Sequence, residues 1–163
     1  MRDIRRKEKK ITSIEEIIDI LIKTKYVTLA MCVDNIPYLV TLSHGYDQKK
    51  NAIYFHCAKK GKKIDVLKQN NVVWGQALID MGYVEGKCDH LYSTAQFKGR
   101  VTFIEDIDEK QHALNVMIKQ QEKMPEKVIG EQISKKSIKN VNIGMIDISF
   151  LSGKKSDERI VSQ

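Results

Sequence analysis

The chain has 163 residues, 42% hydrophobic and 30% charged, a balance that builds a globular core and excludes a disordered polymer. Its 28 Lys and Arg against 21 Asp and Glu leave a net charge of +7, spread over residues 2–10, 59–63, 134–139 and 154–155. No RNA-binding or zinc-finger signature accompanies that charge, no apolar run nears the ~20 residues of a membrane span, and residues 1–10 lack the apolar stretch of a signal peptide, so a cytoplasmic protein with neither nucleic acid nor membrane as partner is expected.

Ser13 followed by Glu16 fits a capping box, and Ile14, Ile17, Ile18, Leu21 and Ile22 recur at helical spacing, which predicts a helix over 14–24. Residues 26–33 read as a strand, Asp34-Asn35 as a turn and 36–46 as a second strand, together a hairpin. A turn at 47–51 leads to a third strand at 52–57. A helix over about 61–69 puts Ile64 and Leu67 on one face, and 71–78 is a fourth strand. Residues 80–91 read as a polar loop and 92–105 as a long strand, with Gly99 marking a bulge or a close backbone approach. Asp108 can cap a helix over 109–122 that turns Ala113, Leu114, Met117 and Ile118 inward; Pro125 starts a short helical stretch, and 141–151 is the final strand. Hairpin-linked strands with helices between and beside them predict one mainly β domain with accessory helices (α+β), an antiparallel barrel, with 1–10 and 154–163 as mobile tails.

Cys32, Cys57 and Cys88 are odd in number and isolated, which argues against a disulfide framework, and there is no CxxC for zinc; Cys32 reads as a core residue. His44, His56, His90 and His112 show no metal-ligand spacing. The densest signal is the run from Tyr54 to Leu67, where a strand ends in a turn carrying Lys59, Lys60, Lys62 and Lys63 and enters a helix. Cations at a helix N-terminus are destabilising by a few tenths to ~1 kcal/mol each unless an anion sits there. A bound phosphate would cancel that cost, since free N–H groups and ammonium groups would both point at it. A solvated lysine turn is the other reading that charge alone allows.

Five segments in order resemble the pyridoxamine 5′-phosphate oxidase-like split-barrel flavoproteins, and within them the nitroimidazole-resistance, or flavin-nucleotide-binding, branch. They are Met1-Arg2-Asp3-Ile4-Arg5-Arg6-Lys7 leading into residues 11–17; Ile36-Pro37-Tyr38 running to Gly45-Tyr46-Asp47; and Tyr54-Phe55-His56-Cys57-Ala58 followed by Gly61-Lys62-Lys63. Tyr92 to Thr94 with Gly99, and Leu151-Ser152-Gly153-Lys154-Lys155-Ser156, complete the set. Thr41 departs from the branch where proline is common, and His44 where an aromatic is frequent.

The resemblance implies an FMN-binding antiparallel split β-barrel, a homodimer with the flavin between subunits. It implies that Lys62 and Lys63 hold the phosphate, that Gly61 admits close backbone approach, and that Cys57 lies beside the phosphate or ribityl chain. Thr41, Leu42 and Ser43 would run along the isoalloxazine edge, and Thr94 would reach the ribityl hydroxyls or phosphate. His56 would stand near flavin and substrate as the catalytic side chain, with His90 and Tyr92 toward the pocket mouth. The ordinary alternatives are Leu42 in the core, Thr94 as an outward strand residue and His56 as hydrogen-bonded structure. The implied activity is NAD(P)H-dependent reduction of a small electron-poor molecule, a nitro-aromatic or quinone; the alternative is a flavin- or haem-binding carrier or sensor without turnover.

Overall fold

The structure, a computed structural model, describes residues 4–157 and 160, apart from the side chains at 132, 135 and 136. After a 3-10 turn (Lys7–Lys9), β1 (Lys10–Ile11) leads to α1 (Ile14–Lys23), which begins where Ser13 Oγ accepts the Glu16 N–H at 3.1 Å. Ile17, Ile20 and Leu21 bury one face of α1. β2 (Tyr26–Val33) and β3 (Ile36–Ser43) pair residue for residue across Asp34 and Asn35, both at positive φ as a two-residue hairpin turn demands. Inward Val27, Leu29 and Met31 alternate with outward Tyr26, Thr28, Ala30 and Cys32. Cys32 is therefore exposed rather than a core residue: it falls on the other phase of the alternation.

The second predicted strand is broken. β3 ends at Ser43, and after His44 the chain starts β4 (Gly45–Asp47), which pairs with β5 (Ala52–Cys57) instead of β2. Two contacts with distant parts of the chain hold the break. A Cβ at Gly45 would lie 2.7 Å from the Met117 backbone, so only glycine passes there, and the fully buried His44 ring is tied by Nε2 to the Leu21 carbonyl at 3.0 Å.

α2 (Lys62–Gln69) precedes β6 (Val72–Val84) and β7 (Asp89–Phe103), paired along most of their length. Residues 80–91, read as a loop, are the far end of this hairpin, with a bulge between Asp80 and Tyr83 and the turn at 85–88. The arm is exposed at Asp80, Met81 and Tyr83, so no burial pattern marks it as strand. α3 (Ile107–Gln121) is capped by Asp106, whose Oδ1 accepts the Glu109 N–H at 2.9 Å, and Asp108 falls in its first turn. α4 (Pro125–Gln132) starts at proline, and α5 (Lys135–Asn140) adds a short helix.

β8 (Asn142–Ser156) pairs with β7 on one side and with β5 and β1 on the other. Beside Gly99 its register slips by one residue, the expected bulge, and a Cβ at Gly99 would clash with the Asp147 carbonyl oxygen. Parts of both expected tails are ordered: Lys10 and Ile11 pair with Lys154 and Gly153, and Lys9 is buried with Nζ 3.0 Å from Ser156 Oγ and 3.3 Å from Asp89. Residues 1–3, 158–159 and 161–163, the remainder of those tails and the first part of the Met1–Lys7 motif, lie outside the described residues.

The strand order is β3-β2-β6-β7-β8-β5-β4. The two edge strands are consecutive in the chain, separated only by His44. The sheet therefore curls into a barrel left open at one seam, an antiparallel split barrel with helices packed around it. Its interior holds Leu29, Phe55, Val73, Phe97 and Ile146, all fully buried, while a second cluster of Tyr54, Ala113, Met117 and Ile143 seats α3. Truncating Phe97 to alanine would cost ~3–5 kcal/mol. No helix among the described residues is long and apolar enough to cross a membrane.

Candidate functional site

β5 delivers the chain into the lysine turn. Gly61, at φ 129°, is the N-cap of α2 and carries no capping side chain, so the first-turn N–H groups have no side-chain acceptor. Ile64 and Leu67 bury the underside of α2 and fix its direction. Lys62 Nζ lies 4.7 Å above the Tyr38 ring and Lys63 Nζ 5.7 Å from the Phe55 ring centre, which turns both ammonium groups back over the barrel. Tyr38, Ala58, Lys60, Gly61, Lys62 and Lys63 enclose a cavity of about 200 Å³. Among the described residues, neither Lys59, Lys60, Lys62 nor Lys63 is paired with a carboxylate.

Half-buried Cys57 adjoins the turn. Burial pushes its thiol pKa up, opposed by the Lys63 charge and by Asn142, whose Nδ2 lies 3.5 Å from Sγ. One residue earlier, His56 shares the strand face of Tyr54 and so looks toward α3. With Ser43, His44, Leu114, Met117 and Ile118 it lines a larger cavity, about 410 Å³, at the seam of the barrel.

The end of α3 is stitched to that seam. Gln121 Nε2 donates to the carbonyls of His44 at 2.8 Å and Lys25 at 2.9 Å, and Gln120 Nε2 to those of Leu21 and Thr24. Lys25 Nζ in turn donates to the Gln120 and Gln121 carbonyls. Burial lowers the His44 pKa, with the Leu21 and Lys25 carbonyls opposing, and its Nδ1 has no hydrogen-bond partner among the described residues.

β3 connects the two cavities, running from Tyr38 at the lysine turn to Ser43 at the seam, roughly 16 Å at ~3.3 Å per residue. Along it Thr41 is exposed and shares a 3.0 Å hydroxyl contact with Thr28, Ser43 is exposed, and Leu42 turns in against the core. β3 is an edge of the sheet, so alternate main-chain N–H and C=O groups have no strand partner. Thr94 stands apart: it lies three strands away, is buried, and donates from Oγ1 to the Lys154 carbonyl at 3.1 Å. His90 belongs to the exposed arm, where it packs edge-on against Tyr83, and Tyr92 is half-buried beside Lys9 and Lys154; neither lines either cavity.

The sequence reading missed Tyr38 as the floor of the lysine turn and the far half of α3 as a cavity wall. It also missed the outer face of β2, β3 and β6, where Tyr26, Ile36, Leu39 and Leu78 are more than half exposed and Trp74 borders a cavity of about 340 Å³. The signal was available there: these strands carry large apolar residues at outward positions, where strict alternation would place polar ones.

A second charged cluster lies between α3 and the β4–β5 hairpin. Lys50 Nζ donates to both Glu109 oxygens at 2.6 Å, the buried Tyr54 hydroxyl donates to Glu109 at 3.0 Å, and His112 Nε2 meets Asp47 at 2.6 Å. Burial, reinforced by Glu109, drives the Tyr54 phenol far above its ordinary value; the Lys50 hydrogen bond lowers Glu109. Burial would raise Asp47, but His112 and the Lys49 and Lys50 N–H groups together bring it below the usual carboxylate range. Among the described residues no group of three or more His, Cys, Asp or Glu side chains is placed to hold a metal.

The profile of the pyridoxamine 5′-phosphate oxidase family matches residues 13–155. A candidate 5-nitroimidazole antibiotic resistance protein from Bacteroides thetaiotaomicron has a similar structure (TM-score 0.76, 25% identity, 89% of this chain and 85% of that one). A FAD and haem binding protein from Mycobacterium smegmatis shares the fold (TM-score 0.75, 17% identity, 91% and 74%), as does a flavocytochrome from Azotobacter vinelandii (TM-score 0.74, 14% identity, 99% and 78%). No curated protein sequence matches this chain.

Proposed function

This chain belongs to the pyridoxamine 5′-phosphate oxidase family, and on that premise we propose that it binds FMN and passes reducing equivalents from NAD(P)H to a small electron-poor molecule of nitro-aromatic or quinone type. The observation that carries the reading is the lysine turn. Lys60, Lys62 and Lys63 line a small cavity at a helix start with no capping side chain, and none of the three is paired with a carboxylate among the described residues, which fits a phosphate monoester. Lys62 and Lys63 would hold the phosphate, each charge-assisted bond contributing ~1.5–3 kcal/mol, and Gly61 leaves the backbone open to it.

From there the edge of β3, over Thr41, Leu42 and Ser43, offers unpaired main-chain donors and acceptors to the polar rim of the ring, with Leu42 anchoring the strand in the core. Cys57 sits between, its thiol kept neutral beside the ribityl path. FMN, when bound, supplies the two-electron chemistry that these side chains lack. His56 faces the seam cavity from an exposed position, where its imidazole would stand beside the ring and its substrate. The apolar outer face around Leu39, Trp74 and Leu78 fits a second copy of the chain, which would complete the cofactor site and bring Thr94 to it from the partner. The cytoplasm, where NAD(P)H is supplied, is the compartment this chemistry needs.

A flavin- or haem-binding carrier without turnover is the second reading. The names of the Mycobacterium smegmatis and Azotobacter vinelandii structures and the accessible His56 favour it. One experiment separates the two: the absorption spectrum of the purified protein with FMN added, followed by NAD(P)H and a nitro-aromatic acceptor, for the wild type and His56→Ala. Flavin bands bleached by the nucleotide and restored by the acceptor, more slowly in His56→Ala, are expected. Bands that do not bleach, or a Soret band, favour the carrier; a protein that takes up no FMN overturns the flavin reading.

A further inference from the structure

The two cavities at either end of β3 are opposite in charge. The one at the lysine turn is lined by Lys60, Lys62 and Lys63 and no carboxylate. The one at the seam is lined by no lysine or arginine; its rim carries Glu122, the residue that ends α3. Glu122 is exposed and pairs with no cation among the described residues. Lys25, which docks at this helix end, has its ammonium bound to the Gln120 and Gln121 carbonyls. His44 is buried and held neutral, and His56 is the remaining titratable group. The floor is apolar, from Leu114, Met117 and Ile118, and at about 410 Å³ the space suits a ligand of one or two rings.

We propose that the seam cavity selects its occupant by charge, taking a small flat ring that carries a protonated amine and rejecting its carboxylate analogue, with the ring on Leu114, Met117 and Ile118 and the cation at Glu122. Insofar as that occupant is the electron acceptor, the inference rests on the reading given above, and it narrows the acceptor to neutral or cationic aromatics. This also keeps two ligands apart: the anionic phosphate is drawn to the lysines, roughly 16 Å along β3 from the cavity that Glu122 rims and beyond a Debye length of its charge. A unit charge about 4 Å from Glu122 in a water-like medium gains or loses ~1 kcal/mol, about fivefold for each sign at low ionic strength.

The test is equilibrium binding of two matched probes, protonated 4-nitrobenzylamine and 4-nitrobenzoate, followed by NMR at the Met117 methyl, with and without FMN. The cation is expected to bind about 5- to 25-fold tighter, the ratio to fall to about one in Glu122→Gln, and to invert in Glu122→Lys, with FMN affinity unchanged in both. Equal binding of the probes, a preference that survives Glu122→Gln, or no response at Met117 overturns the proposal. A wild type that takes up no FMN sinks the flavoprotein reading alone, because the flavin-free titration still decides this one.

Discussion

The lysine turn at 59–63 and the cluster between α3 and the β4–β5 hairpin are built from the same kinds of groups and use them in opposite ways. In the cluster, Lys50, Glu109 and Tyr54 satisfy one another, as do His112 and Asp47, and two elements far apart in the chain are locked together. In the turn, four lysines crowd a helix start and none is paired with a carboxylate among the described residues, although Asp65 lies in the first turn, a local arrangement that costs stability unless an anion is bound. Charge that closes on itself serves the fold. Charge left open is what the proposed phosphate would use.

Breaking the open region should have the largest effect. Lys62→Ala combined with Lys63→Ala should weaken FMN by about a hundredfold or more while leaving riboflavin, which lacks the phosphate, almost untouched. Fluorescence titration of both flavins measures the contrast, and equal losses would return the turn to solvated surface. The closed region should answer in stability instead. Glu109→Ala strips the acceptor from the buried Tyr54 hydroxyl, at a cost of ~1–3 kcal/mol, and should lower the unfolding midpoint by several degrees with FMN affinity unchanged. A shift in FMN affinity of the same size would show that the two regions are not separable.

The smallest effect is a dependence on pH at the seam between them. The folded pKa of His44 lies below its ordinary 6.5 because burial disfavours the imidazolium. As pH falls through 6.5 the unfolded chain takes up the proton first, so stability declines, and the decline ends only below the folded value. Urea unfolding at pH 7, 6 and 5 should show this slope in the wild type and a flatter one in His44→Gln, which keeps a donor for the Leu21 carbonyl. A wild type whose stability stays level over that range would contradict it.

Local signals were the legible ones. Asp34 and Asn35 announce the β2–β3 turn because two consecutive positive φ angles suit few other pairs, and Ser13 with its isoleucine stripe announces α1. The lysine turn was legible for the same reason, since every group in it lies within five residues. What stayed hidden depends on distant contacts. The break at His44 exists because Met117 presses on Gly45, and nothing within 36–46 reports that. The β6–β7 arm is paired but exposed, so pairing left no apolar alternation to read. The seam cavity needs the end of α3 beside β5, a proximity that only the folded barrel supplies.

β8 has a consequence for how the molecule comes to be made. This one strand holds β7 on one side and both β5 and β1 on the other, and β4 is attached only through β5. During synthesis, residues 52–57 therefore wait for partners some ninety positions later, such as Asp147 for Ala52. Until about residue 156 leaves the ribosome, one flank of the sheet has no neighbour to hydrogen-bond with. The N-terminal hairpin can form early, but the flank of the sheet that carries β5, the strand leading into the lysine turn and bearing His56 of the seam cavity, is completed late, in a slow step governed by long loop closure. A nascent chain stalled before Asn142 should therefore bind no flavin at all, whatever the state of its lysine turn.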